Sequence, residues 1–466
     1  MSDPTRAAAY RDIPSLDALL AEPGLAPLIE RHGREAVASS ARQAFDEIRA
    51  AIGAASKPDT SPAALVERVR VRVESRFAPS LAPAVNATGV IMHSGLGRAV
   101  LAGAAREALA DVASGYSTLA LDRGSGRRVP RDRHVEKLLC ELTGAEAATV
   151  ANNNAAATVL ILNTLARGKE VLVSRGQLVE IGGSFRMPDV MATSGAVLRE
   201  VGTTNKTHLR DYEAALSAST GAILRVHHSN YRIVGFAEEP PIGELAALGR
   251  ARGVPVVDDL GSGALVDLAR FGLAAEPLVR ESIEAGADLV CFSGDKLIGG
   301  PQSGLIAGRA AAIERVRKNP LARAFRCGKL TLAALEATLK LFLSPDRLTE
   351  RHPIYRMLAL TVGELEAGGK RLEAVLRGAL PASATVSVED GESQVGSGAV
   401  PVETLPSKVL AVRSSAISPE EMARRLRLGT PPVFARIHKD AVLLDLRTIQ
   451  PGEEGFVERA LVRALG

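Results

Sequence analysis

The sequence contains no tryptophan, and aromatic residues occupy only 3% of its 466 positions. We therefore expect a core built from aliphatic side chains. Cysteine is also scarce: the three present lie far apart and form neither a CxxC pair nor a metal-ligand spacing, and they are Cys140, Cys291 and Cys327. These absences exclude a disulfide scaffold and a zinc ribbon, and we predict a reduced protein with no metal site.

Long apolar runs are missing as well. No stretch reaches the ~18 uninterrupted apolar residues that a membrane helix requires. The first residues carry charges and a proline where a secretory signal needs an apolar run. We therefore expect a cytoplasmic protein without a membrane partner. A formal net charge of only +4 permits a polyanionic partner but does not require one.

The N-terminal part has helical periodicity. Apolar residues recur at helical spacing over 12–52, and a stretch rich in Gly, Ser, Pro and Ala follows at 53–65. Residues 63–77 could form a third helix that leads into the main body. We predict a helical domain at 1–60 and a linker at 61–84.

From about residue 85 the pattern changes to short apolar runs that alternate with helical stretches. Such alternation is typical of an α/β fold, with a mainly parallel sheet covered by helices on both faces. We predict a core domain at 85–340 and a small C-terminal α/β domain at 341–466. Ligands in such sheets bind beyond the carboxyl ends of the strands, so the polar residues there are the first candidates.

The strongest local signal is a lysine that follows an apolar run. Lys296 stands in a turn of small residues, and Ser293 precedes it by three positions. A partly buried lysine has a lowered pKa and becomes a nucleophile toward carbonyl groups. At this spacing the serine hydroxyl could hold the phosphate of a cofactor bonded to the lysine. The alternative is a surface lysine in a glycine-rich loop.

Two carboxylates end a second apolar run. Asp258 and Asp259 lead into a Gly-Ser-Gly turn. Asp259 lies 37 residues before Lys296. Pyridoxal 5′-phosphate (PLP) enzymes need a buried carboxylate to keep the pyridine nitrogen protonated. We favour Asp259 because it adjoins the turn, while Asp258 could face the other way. Helix capping or metal binding by the pair are the alternatives.

Three asparagines separate a predicted strand from a predicted helix. Among them, Asn153 and Asn154 with Ala155 fit a cup for the cofactor phosphate, because helix N-termini bind phosphate. An asparagine at this place is also simply a good N-cap. A phosphate cup, a pyridine carboxylate and a Ser-x-x-Lys turn in this order resemble the fold-type I PLP enzymes, the aspartate aminotransferase group.

A finer resemblance covers most of the chain. The segments NATGVIMHSGLGRAVL (86–101), RGQLVEIGGSFRMPDVM (175–191), SGDKLIGGPQSG (293–304) and KLTLAALEATL (329–339) are similar to bacterial selenocysteine synthases, the L-seryl-tRNA(Sec) selenium transferases. The resemblance implies conversion of seryl-tRNA(Sec) to selenocysteinyl-tRNA(Sec) with selenophosphate, through a PLP aldimine and an aminoacrylyl intermediate. It also implies that the N-terminal helical domain binds tRNA and that the chain forms a homo-oligomer, expected as a decamer of dimers.

The resemblance also assigns residue roles. It places an anion site for selenophosphate at Arg98, Arg323 and Arg326, shared across a subunit interface; surface arginines without a partner are the alternative. Lys296 would be the catalytic base as well as the cofactor anchor. Asp295, beside the lysine, would assist proton transfer or serve only the structure.

Several positions depart from the family pattern. Ser94 and Gly95 replace a Thr-Asn pair, the segment 122–136 differs from the usual loop, and Cys327 stands where valine is usual. These positions belong to the inferred substrate side. A PLP lyase or aminotransferase acting on a small phosphorylated amino sugar or amino acid is therefore a rival, as is an RNA-binding protein without activity.

Overall fold

A computed structural model describes residues 9–54, 56–182 and 185–466. The chain divides into two compact units, residues 1–83 and 84–466, which we describe separately. Among the described residues no helix has the length and apolar character needed to cross a membrane.

The first unit is helical, as predicted. Its helices are Leu16–Leu20, Ala26–His32, Arg34–Gly53 and Pro62–Phe77. The last of these lies in the segment predicted as a linker. It forms because Pro62 can begin a helix and because Leu65, Val69 and Val73 recur every four residues. All three side chains are fully buried in the core of this unit.

Strands of the second unit are numbered in chain order. They are β1 Val85–Ala87, β2 Ala147–Ala151, β3 Glu170–Ser174, β4 Glu180–Ile181, β5 Phe185–Arg186, β6 Val197–Val201, β7 Thr220–Val226, β8 Val256–Gly261, β9 Leu289–Ser293, β10 Gly304–Gly308, β11 Ala384–Gln394, β12 Thr404–Ser414, β13 Val433–His438 and β14 Ala441–Asp445.

Helices of the second unit lie between these strands and after the last of them. They are Gly103–Ala113, Arg133–Thr143, Asn154–Ala166, Met187–Ser194, Leu209–Ala215, Ile242–Arg252, Val279–Glu284, Ala310–Lys318, Leu321–Ala324, Lys329–Leu341, Leu348–Arg351, Pro353–Ala359, Val362–Ala379, Pro419–Arg427 and Glu454–Leu465.

The large sheet has seven strands in the order β2-β10-β9-β8-β7-β3-β6. β10 is antiparallel to both of its neighbours, and the other pairs are parallel. β9 shows why both faces are covered, since Leu289 and Cys291 enter one core cluster and Val290 and Phe292 enter the other. This alternation confirms the predicted α/β sheet with helices on both sides.

The small sheet has five strands in the order β1-β13-β14-β12-β11. Strands β11 to β14 come from the region predicted as the C-terminal α/β domain. β1, from the beginning of the predicted core domain, joins this sheet beside β13 in parallel register. Three residues are too few for an alternating pattern, so sequence periodicity gave no sign of this pairing.

Candidate active site

Lys296 lies just beyond the carboxyl end of β9 and is only 7% exposed. It lines a cavity of about 270 Å³. Two contacts hold the turn that follows Lys296. The Tyr355 hydroxyl donates to the Leu297 carbonyl at 3.1 Å, and a His352 ring nitrogen lies 2.9 Å from the Ile298 carbonyl. The lysine is therefore a fixed, buried group and not part of a loose surface loop.

Burial lowers the pKa of Lys296, and the nearby Arg98 guanidinium lowers it further. The carboxylates of Asp259, Asp295 and Glu276 oppose this shift but do not cancel it. An amine with a lowered pKa is uncharged over a wider pH range and can attack an aldehyde.

Asp259 and Asp258 face opposite sides of β8. Asp259 lines the lysine cavity, where it accepts hydrogen bonds from Asn154 Nδ2 at 2.8 Å and from the Thr158 hydroxyl at 3.0 Å. Asp258 is fully buried away from the cavity, where Ser282 donates to it at 2.7 Å and Arg225 forms an ion pair at 3.3 Å. The structure thus places Asp259, and not Asp258, beside Lys296.

This contrast predicts a purely structural role for Asp258. We expect Asp258→Asn to lower the free energy of unfolding by about 3 kcal/mol, because the partly buried Arg225 loses its ion-pair partner. Urea titration followed by circular dichroism measures the change. Asp346→Asn, at an exposed carboxylate, is the matched control and should stay within about 0.5 kcal/mol of the unchanged protein. Equal stability of the two variants would contradict the assignment.

The asparagine turn serves two purposes. Asn153 is the N-cap of helix Asn154–Ala166, and its Oδ1 accepts from the Ala156 amide at 2.8 Å. The capping alternative is therefore correct for this side chain. Asn154 instead positions Asp259, and its own Oδ1 is buried without a hydrogen-bond partner among the described residues. Ala155 and both asparagines line the cavity, so the helix N-terminus opens toward Lys296.

Glycines keep this region closely packed. A Cβ at Gly304 on β10 would lie 2.1 Å from the Asn153 carbonyl oxygen, so the asparagine turn can approach the sheet only because this residue lacks a side chain. A Cβ at Gly261, where φ is +62°, would lie 3.7 Å from Lys296 Nζ. This is ordinary van der Waals contact, so the glycine is favoured there by its left-handed backbone conformation.

The remaining predicted residues near the lysine are Ser293, Arg98 and Asp295. Ser293 is the last residue of β9 and lines the cavity. Arg98 also lines it and forms an ion pair with Asp295 at 2.7 Å. Asp295 is 7% exposed and does not line the cavity. Its contact in this structure is the ion pair that holds Arg98.

Arg323 and Arg326 lie elsewhere in this protomer. Arg326 lines a separate cavity of about 580 Å³, together with Arg128 and Arg131. The positive charges of Arg131, Arg323 and Arg128 lower the pKa of Arg326, with Arg131 having the largest effect. Such a cluster favours an anion, but a single protomer does not bring it into one cavity with Arg98.

Two residues of the cavity region were not predicted. His227 follows β7 and lines the lysine cavity, and Glu276 lies 3.1 Å from its Nε2. The position of His227 at the carboxyl end of a predicted strand was a usable signal. Glu276 lies in an irregular segment between β8 and the next helix, and no sequence pattern indicated it.

These residues fit PLP. Lys296 can bond the aldehyde, Asp259 can face the pyridine nitrogen, and the helix N-terminus with Ser293 can bind the phosphate. The buried Asn154 Oδ1, which has no hydrogen-bond partner among the described residues, is an observation that this arrangement would explain.

Comparison with known proteins now decides the family. A family model described as L-seryl-tRNA selenium transferase matches residues 84–450, and one described as selenocysteine synthase N terminal matches residues 10–49. The chain belongs to the L-seryl-tRNA selenium transferase family. This membership confirms the predicted family and, with it, the predicted PLP cofactor.

Relatives support the same conclusion over the whole length. The L-seryl-tRNA(Sec) selenium transferase of Methylocella silvestris is 50% identical, with 96% of each chain covered. That of Geobacter sulfurreducens is 49% identical, over 97% of this chain and 98% of the relative. Among solved structures, D-glucosaminate-6-phosphate ammonia-lyase aligns with a TM-score of 0.57 and 21% identity, covering 84% of this chain and 98% of that one. This neighbour supports the predicted fold class and nothing finer.

Proposed function

We propose that this protein converts L-seryl-tRNA(Sec) to L-selenocysteinyl-tRNA(Sec), with PLP bound at Lys296 and selenophosphate as the selenium donor. The observation that carries the proposal is the buried Lys296 in one cavity with Asp259, in a chain that matches the family almost from end to end. We expect the enzyme to act in the cytoplasm.

The chain's own residues have distinct tasks in this reaction. PLP, when bound, supplies an electron sink that stabilises negative charge at the substrate Cα. Asp259 holds a proton on the pyridine nitrogen, and Asn154 and Thr158 hold Asp259 in place. Lys296 accepts the Cα proton of the seryl group, because its lowered pKa favours the uncharged amine and because it is tethered within reach.

The arginine cluster around Arg326 supports selenophosphate binding. Guanidinium groups bind multiply charged oxyanions through paired hydrogen bonds. Arg98 would complete this site from the lysine cavity of a neighbouring protomer, in keeping with the expected homo-oligomer, a decamer of dimers. Asp295, as the ion-pair partner of Arg98, would set the position of that guanidinium.

We expect Arg326→Gln to raise the KM for selenophosphate about 10-fold, because one charge-assisted contact to the anion is lost. Steady-state kinetics with varied selenophosphate at saturating seryl-tRNA(Sec) measures this effect. Arg199→Gln, at an exposed arginine of β6, is the matched control and should leave KM unchanged. The site is wrongly assigned if the two variants have the same KM.

tRNA binding by the helical unit rests on the family match to residues 10–49. Its charges alone do not argue for RNA, since Arg34, Arg42 and Arg49 each pair with a carboxylate of the same unit at 2.8 to 3.0 Å. A gel-shift assay with the full chain, comparing tRNA(Sec) with tRNA(Ser), tests this partner.

Turnover separates the proposal from its rival. With PLP and selenophosphate, the protein should convert seryl-tRNA(Sec) and leave seryl-tRNA(Ser) unchanged. The structural neighbour favours a second candidate, a lyase acting on a small phosphorylated amino sugar, but only at the level of fold. If the protein releases ammonia from D-glucosaminate 6-phosphate and ignores seryl-tRNA(Sec), the selenium-transferase assignment is wrong.

A further inference from the structure

The lysine cavity contains a histidine, His227, that has no part in the reaction steps described so far. Among the described residues, the titratable side chains that line this cavity are Arg98, His227, Asp259 and Lys296. Arginine stays protonated, and Asp259 accepts hydrogen bonds from Asn154 and Thr158. Lys296 takes up the Cα proton. His227 is therefore the group left to deliver a second proton.

A second proton is needed because the serine side chain ends in a hydroxyl. Hydroxide is a poor leaving group, so cleavage of the Cβ–O bond requires a proton on the departing oxygen. Imidazole is the side chain best suited to supply one near neutral pH.

A buried carboxylate lies beside His227. Glu276 is 4% exposed, and its Oε2 lies 3.1 Å from His227 Nε2. The Ser262 hydroxyl donates to the same carboxylate at 3.1 Å, and the Val400 amide donates to its other oxygen. Burial alone would raise the pKa of Glu276, but these bonds and His227 together hold it below its usual value. A buried carboxylate at this distance can pair with an imidazole that carries a proton.

The position of His227 is fixed relative to the other groups. Its backbone amide donates to the Asp259 carbonyl at 2.9 Å, at the shared carboxyl edge of β7 and β8. Its side chain also lines a neighbouring cavity of about 330 Å³, which gives a path for a proton from solvent.

We propose that His227, paired with Glu276, is the catalytic acid that protonates the departing β-oxygen of the seryl group. This inference rests on the proposed function. The electron pair left at Cα by proton removal forms the Cα=Cβ double bond as the Cβ–O bond breaks, and the oxygen leaves with the bonding electrons and takes the imidazolium proton to become water. His227 then regains a proton from solvent through the neighbouring cavity, so it returns to its starting state.

Two aminoacyl-tRNAs with different leaving groups test this role. Seryl-tRNA(Sec) needs a proton on its leaving oxygen, whereas β-chloroalanyl-tRNA(Sec) loses chloride without one. We expect His227→Gln to slow turnover of the seryl substrate at least about 100-fold, since general acid catalysis typically contributes 100- to 10,000-fold. Turnover of the chloro substrate should stay within about 3-fold of the unchanged enzyme.

Two readouts other than turnover distinguish loss of the catalytic acid from damage to the structure of the site. His227→Gln should keep the visible absorbance band of bound PLP and should still release tritium from the Cα of seryl-tRNA(Sec). Glu276→Gln should slow turnover of only the seryl substrate, by about 10-fold, because His227 is retained but loses the neighbouring carboxylate. It also serves as the test if His227→Gln does not fold.

His208→Gln is the matched control. This histidine also lies near a carboxylate, Glu238 at 3.3 Å, but it lines neither the lysine cavity nor the neighbouring cavity. It should react with both substrates as the unchanged enzyme does.

Two outcomes for His227→Gln would overturn the proposal: seryl turnover within about 3-fold of the unchanged enzyme, or equal losses with both substrates. An unchanged enzyme that is inactive on seryl-tRNA(Sec) would instead refute the proposed function.

Discussion

Lys296→Ala is expected to remove both the visible absorbance band of the bound cofactor and the conversion of seryl-tRNA(Sec). The loss of turnover should be at least about 1,000-fold, because one side chain both anchors PLP and accepts the Cα proton. Absorbance spectroscopy of PLP-loaded protein and single-turnover selenium incorporation measure the two effects.

Lys340→Ala provides the control for this experiment. Lys340 is exposed, pairs with Glu336 on its own helix and lines neither the lysine cavity nor the cavity of Arg326, so its removal should change neither readout. Retention of the cofactor band in Lys296→Ala would show that another amine holds PLP.

Asp259→Asn is expected to slow turnover by about 100- to 1,000-fold while PLP remains attached to the protein. The amide has nearly the size of the carboxylate; its Oδ1 can still accept from Asn154, and its Nδ2 can donate to the Thr158 hydroxyl oxygen. It cannot, however, stabilise a proton on the pyridine nitrogen, so the ring withdraws electrons less strongly. Tritium release from the Cα of seryl-tRNA(Sec) reports on this step directly.

Asp258→Asn is the matched variant at the adjacent position. It should lose stability, as argued above, but keep Cα tritium release close to that of the unchanged enzyme. If Asp258→Asn slows this step and Asp259→Asn does not, the assignment of the two carboxylates must be reversed.

Much of the fold could be predicted because the strands of the large sheet are short apolar runs ending in polar or glycine residues. β3, β7, β8 and β9 all follow this pattern. β1 and β10 were not predicted, since one is three residues long and the other is a small-residue run, GLIAG. The helix within the predicted linker was recognised only as an option, because the Pro- and Ser-rich residues before it obscured where it begins.

The cofactor side of the site was more predictable than the substrate side. Lys296, Asp259 and the asparagine turn each lie at or just beyond the carboxyl end of a strand, so their meeting at one edge of the sheet follows from topology. The contact between Arg98 and Asp295 joins residues 197 positions apart, and no local pattern specifies it. Glu276 reaches His227 from an irregular segment, which periodicity cannot place.

Reductive trapping of the cofactor tests the account most directly. PLP-loaded protein is treated with borohydride, which makes the bond between the cofactor aldehyde carbon and the protein amine permanent, and is then digested and analysed by mass spectrometry. We predict that the pyridoxyl phosphate group lies on the peptide that contains Lys296. Its appearance on another lysine, or on none, would contradict the account.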